Sequence, residues 1–268
     1  MAIDPGARIG AVHLTVADLG RLVSFYEARL GLTVRRRDSR TAWLGAGGAG
    51  GADLLVLHES PTARRVPGTT GLYHFAVLVP TRRALARSLR RLVDTSTTLQ
   101  GVADHGVSEA LYLGDPEGNG IEIYRDRPRA DWPVVAGQLK MGTDPLDLDG
   151  LLSELEAEGD ARDAAGMPPA TTIGHVHLHV ADLVTTEEFY AGVLGFELTQ
   201  RFGQSAYFFA AGGYHHHVGA NIWAGAGAPP PPWPPRSVSL DEPYRVPRRI
   251  PNYIARVDFP VRTSTRAI

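Results

Sequence analysis

Ile9-Gly10-Ala11-Val12-His13-Leu14-Thr15-Val16-Ala17-Asp18-Leu19 returns later in the chain as Ile173-Gly174-His175-Val176-His177-Leu178-His179-Val180-Ala181-Asp182-Leu183. The match continues through Phe25-Tyr26 with Phe189-Tyr190 and Leu30-Gly31 with Leu194-Gly195, at a constant offset of 164 residues (173 − 9). A repeat of this length means a duplicated structural module, so the fold must be one that a single unit can specify twice. Within the first copy an alternating strand pattern ends at Ala17-Asp18, where Asp can cap a helix. Leu22, Val23, Tyr26 and Leu30 then follow a helical period, and Gly31 supplies the stop. Strand-like runs follow at Thr33–Arg36, Thr41–Leu44 and Leu54–Leu57, broken by Gly-rich Gly45–Gly51. The unit reads β-α-β-β-β.

A more divergent unit comes next. Tyr73–Val79 reads as a strand, Arg82–Leu92 as a helix with a solvated arginine face, and Ser108–Leu113 and Gly120–Tyr124 as further strands joined by the turn Asp115-Pro116-Glu117-Gly118. The expected fold class is α+β, with paired βαβββ units forming open barrel modules. There are two modules, and the second is incomplete at its C-terminus. The boundaries are 7–128 for the first module, 129–170 for a linker with a short helix, 171–225 for the first unit of the second module, and 226–268 for a Pro-rich irregular tail. Pro229–Pro232 and Pro234-Pro235 favour extended polyproline over a packed strand. A fourth unit is therefore expected to be missing, by divergence or by a shifted reading frame.

Bulk properties narrow the function. A net charge of −2 gives no electrostatic reason to expect nucleic acid or an anionic membrane as partner. No apolar run reaches membrane-spanning length, and the start MAIDPGARIG has no signal-peptide pattern, so the expected location is cytoplasmic. With no Cys, thiolate ligands are excluded, and any transition metal must be held by His, Asp or Glu.

Gly118-Asn119-Gly120-Ile121-Glu122-Ile123-Tyr124 places a carboxylate where an apolar strand residue would be expected, which is costly unless something positive meets it. Val12–Val16 and Tyr73–Val77 each carry a His among β-formers, His13 and His74. Two imidazoles and a carboxylate make the three-ligand face of non-haem Fe(II) oxygenases. The plainer alternative for each His alone is a satisfied core histidine.

These residues resemble the vicinal oxygen chelate superfamily, which includes glyoxalases, bleomycin resistance proteins and extradiol dioxygenases, and most of all its catechol 2,3-dioxygenase-type members. The resemblance runs from about Ile9 to Trp223. It implies metal ligands at His13, His74 and Glu122, and Fe(II) as cofactor with Mn(II) as the alternative. It further implies a small aromatic substrate with O2, Tyr112 and His105 as catalytic residues, and scope for a homo-oligomer. Two other functions share the architecture. A glyoxalase-type metal enzyme needs a fourth ligand, and Leu54-Leu55-Val56-Leu57 offers no donor at the corresponding place. An antibiotic-binding protein of the same fold needs no metal. His58 is a subsidiary candidate beside the pocket. His175, His177, His179 and the run His215-His216-His217 lack a companion carboxylate from a fourth unit, so the sequence favours a structural or vestigial role for them. Asp18 and Asp182 read as helix caps.

Overall fold

The computed structural model describes residues 2–47, 51–156 and 166–232, and the backbone of residues 255–257. The tail expected over 226–268 therefore lies largely outside the described residues.

Three βαβββ units are present among the described residues. The first comprises β1 (Val12–Val16), α1 (Leu19–Phe25) running into a π-helical turn at Tyr26–Leu30, β2 (Thr33–Arg37), β3 (Thr41–Gly45) and β4 (Asp53–Glu59). The second is β5 (Gly71–Leu78), α2 (Arg82–Asp94), β6 (Leu99–Asp104), β7 (Ser108–Gly114) and β8 (Gly120–Asp126). A hairpin of β9 (Val134–Val135) and β10 (Gln138–Leu139) and the short helix α3 (Leu148–Ser153) occupy the expected linker. The third unit is β11 (Thr172–His179), α4 (Leu183–Glu187) with a π-helical turn at Glu188–Val193, β12 (Glu197–Phe202), β13 (Ala206–Ala210) and β14 (Val218–Asn221). One further strand, β15 (Ala255–Val257), is all that the tail adds among the described residues.

The repeat reuses its local devices. Asp18 Oδ1 accepts from Arg21 N at 2.9 Å and Asp182 Oδ1 from Thr185 N at 2.7 Å, so both aspartates cap helices as the sequence suggests. In each unit the first and last strands pair in parallel: β1 with β4, β5 with β8, β11 with β14. The alternation of period two then sorts the faces. Val12, Leu14, Val16, Phe75, Val77, Ile121 and Ile123 enter the main core beneath the helices. His74, Ala76, Glu122 and Tyr124 take the opposite face.

The units combine through the edges of their first strands. The eight-stranded sheet has the order β12-β13-β14-β11-β5-β8-β7-β6, while the first unit forms a separate sheet in the order β15-β1-β4-β3-β2. The second unit therefore shares its sheet with the third, across an antiparallel seam of β5 and β11 that puts His74 opposite His177. The physical reason is that the first strand of each unit leaves one edge of unpaired backbone groups, which one partner satisfies. β5 takes β11, and β1 takes β15.

The turn into β8 is tied to the first unit. Asp115 accepts from the backbone N–H groups of Glu117 and Asn119 (2.9 Å each), from Asn119 Nδ2 (2.8 Å) and from the Tyr26 hydroxyl (2.7 Å). Glu117 in turn accepts from the backbone of Ala17 and Asp18 at the start of α1. At Gly120 a Cβ would lie 2.2 Å from the Tyr73 carbonyl oxygen. Only glycine lets β8 approach β5 this closely, and that approach sets Glu122 beside the strand that carries His74.

Candidate metal centre

Glu122 is central in its sheet, with β7 on one side and β5 on the other, and only 2% of it is exposed. Its Oε2 lies 3.1 Å from His74 Nε2 and 3.0 Å from His175 Nε2. His74, Glu122 and His175 are all buried, and one donor atom from each lies within 4.8 Å of the others. The bond from His175 to Glu122 has hydrogen-bonding geometry, whereas His74 Nε2 is a buried nitrogen with no hydrogen-bond partner despite its closeness to the carboxylate. A lone pair left unpaired in the interior is costly unless another acceptor of electrons meets it. The group fits a divalent transition metal on this observation: two imidazole nitrogens and one carboxylate oxygen face a common point, the donor set of the facial triad.

The electrostatics agree. Burial alone would raise the Glu122 carboxyl, but the facing His175 and His74 imidazoles outweigh it and hold the group well below the usual carboxylate range. Burial lowers His175. An ionised carboxylate beside a neutral imidazole is the protonation state that ligation demands.

His13, expected as the third ligand, is not in this group. It lies on β1 in the other sheet, where its Nδ1 is 3.0 Å from His58 Nε2. The correction comes from the seam: the strand beside β5 is β11, so the second imidazole comes from the third unit. His175, for which the sequence favours a structural role, has a place in the cluster instead. His177, its neighbour on the same face, has Nε2 buried without a hydrogen-bond partner, and burial holds this ring well below the usual histidine range.

A cavity of about 210 Å³ opens over the cluster. Its walls include Tyr73, Met141, Phe202, Phe208 and Trp223, with His105, Tyr112, His177 and His216 supplying polar groups. Tyr112 is opposite Glu122 in the β7–β8 ladder. Its hydroxyl is 2.7 Å from His105 Nε2, and His105 Nδ1 is 2.7 Å from the Gly142 carbonyl. A carbonyl can only accept, so Nδ1 carries the proton, and in the neutral ring Nε2 accepts from Tyr112. Burial, then the Glu122 charge, pushes the Tyr112 hydroxyl well above its ordinary value. His105 and Tyr112 thus stand together at the cavity.

The run 215–217 precedes β14 and is not part of a strand. His215 Nε2 is 2.9 Å from Asp126 Oδ1 and its Nδ1 is 2.8 Å from His216 Nδ1. This places the His216 ring 4.1 Å, centre to centre, from that of His175. Burial holds His216 well below the usual histidine range, so it is neutral. The sequence does not reveal His216 as a cavity residue because its three-residue run has no period to read.

The sequence profile of the Glyoxalase/Bleomycin resistance protein/Dioxygenase superfamily matches residues 8–123 and 172–234. A catechol-2,3-dioxygenase from Bacillus subtilis (strain 168) is 46% identical over 235 residues, which cover 86% of this chain and 80% of that protein. A crystal structure from Bacillus subtilis subsp. subtilis str. 168, classed as a dioxygenase, matches with a TM-score of 0.51 at 16% identity. That alignment covers 80% of this chain and 64% of the other, and it bears on fold alone. The extent of the profile match and the identity to the curated relative lead to one conclusion: the chain belongs to the Glyoxalase/Bleomycin resistance protein/Dioxygenase superfamily.

Proposed function

We propose that this chain is an extradiol ring-cleaving dioxygenase that uses O2 to open a catechol-like ring beside one of its two hydroxyl groups. The carrying observation is the convergence of His74, His175 and Glu122 at the base of an aromatic-walled cavity, supported by the 46% identity to a catechol-2,3-dioxygenase. These three residues would hold Fe(II), with Mn(II) as the alternative. Bound there, such an ion supplies a redox-active template with positions open to the two substrates.

The remaining steps belong to the chain's own groups. Tyr73, Phe208 and Trp223 offer ring faces and edges to an aromatic substrate and keep its plane away from water. His216 presents a neutral imidazole at the cavity wall, able to take a proton from a catechol hydroxyl. On the opposite side the Tyr112 hydroxyl stays protonated and can donate toward oxygen-derived charge, with His105 Nε2 receiving or returning the proton. The Gly142 carbonyl fixes the His105 tautomer that this relay requires.

The test is anaerobic reconstitution of the full chain with Fe(II), followed by oxygen-electrode and absorbance measurements with catechol. Expected is one-to-one consumption of O2 and catechol with a yellow ring-opened product. Tight binding of zinc or nickel with no oxygen uptake in the iron-loaded protein would overturn the proposal in favour of glyoxalase-type chemistry.

A further inference from the structure

The first unit repeats, on its own sheet, the positions that carry two of the clustered donors. In the β5–β8 ladder His74 is opposite Gly120 and Ala76 opposite Glu122. In the β1–β4 ladder His13 is opposite Val56 and Thr15 opposite His58. Superposing the ladders puts His13 in the place of His74 and His58 in the place of Glu122, on the face turned away from the core. The side chains meet as their counterparts do: His13 Nδ1 to His58 Nε2 is 3.0 Å, against 3.1 Å from His74 Nε2 to Glu122 Oε2. The outer edge of β1 is also paired antiparallel, by β15, as β5 is by β11.

The geometry points to a second metal site at His13 and His58, taking a late first-row divalent ion such as Zn2+, Ni2+ or Cu2+, with water completing the coordination. Two imidazole nitrogens bound at about 2.0–2.1 Å to one ion stand roughly 3 Å apart, the separation seen here. Exchange of carboxylate for imidazole at the second position removes the negative charge and moves the preference toward imidazole-seeking ions. Both rings are only part-buried. Burial together with His13 lowers His58, favouring its deprotonated form. Two protein ligands among the described residues, in place of three, make this site weaker than the buried cluster.

Equilibrium dialysis of the metal-free full chain against micromolar Zn2+ tests the inference. Wild type should bind two ions, His13→Gln and His58→Gln one each, and Glu122→Gln should lose the other ion while keeping this one. Thermal melts in chelator establish that each variant folds. If a His variant does not fold, Cu2+ EPR of the Glu122→Gln protein reads the site directly, with splitting from two imidazole nitrogens expected. Retention of two ions by both His variants, a single ion in wild type, or a Cu2+ signal without that splitting would each overturn it.

Discussion

Replacing Asp115 with Ala should cost more than its distance from the cavity suggests. Its carboxylate accepts four hydrogen bonds, and the four donors differ in how well they tolerate its removal. The backbone N–H groups of Glu117 and Asn119 are part-buried and can turn to water. The Tyr26 hydroxyl cannot, because the residue is fully buried and Asp115 is its partner. Losing a bond to a charged acceptor and stranding that hydroxyl costs about 2–3 kcal/mol, and loosening the turn about 1–2 more, for a total of about 4 kcal/mol. That is a large part of the roughly 5–15 kcal/mol holding a typical domain together. Tyr26→Phe alone removes one of four donors and should cost about 1 kcal/mol. In the Tyr26→Phe background the Asp115→Ala penalty should shrink by about 2 kcal/mol, since no hydroxyl remains to be stranded. Urea denaturation followed by circular dichroism, with a shared slope, gives all four corners of the cycle. A penalty below about 1 kcal/mol for Asp115→Ala, or the same penalty in both backgrounds, would refute the reasoning.

The site itself sets further expectations. His175→Ala should abolish iron retention and oxygen uptake, whereas His13→Ala should leave both unchanged; metal analysis beside an oxygen electrode reads the contrast. Tyr112→Phe should keep the iron and lower kcat by about 10²–10⁴-fold, the range for a positioned acid or base, and a loss of iron instead would assign Tyr112 to folding. Acid stability should be set in part by Glu109 and Asp104. Burial would raise both carboxyls, but Arg125 and Arg82 around Glu109, and Arg127 with the Gly106 backbone beside Asp104, hold them below the usual range. Their stabilisation is therefore complete above the unfolded carboxyl values of about 4 and is lost as pH falls through the lower folded ones. Urea midpoints of wild type and Glu109→Gln should differ most near neutrality and converge toward pH 3.

The parts legible in the sequence are those that local pattern decides. His74, Glu122, Tyr112 and the two Asp caps sit on segments whose alternation or capping chemistry is complete within a few residues. β6 is not readable, because Leu99-Gln100-Gly101-Val102-Ala103-Asp104 lies at the edge of its sheet and carries a weak apolar alternation. The choice of His175 over His13 is unreadable for a different reason. His175, His177 and His179 share one face of β11, and His13 matches His177 in the repeat, so pattern offers several equivalent imidazoles. The strand that occupies the free edge of β5 is β11, and this decides for the third unit over the first. Strand partnership between units is decided by packing over the whole sheet, which no window of sequence contains.

The seam of β5 and β11 divides the three donors unequally, His74 and Glu122 on one side and His175 on the other. An ion held there would act as a rivet between two stretches of the polypeptide whose donors stand 53 (175 − 122) and 101 (175 − 74) positions apart. During synthesis the half with two donors emerges first and waits, with a partly built pocket, for the strand that completes it. Capture of an ion would thereby be linked to the closing of the seam, and a protein that has closed it would report that fact by the metal it keeps.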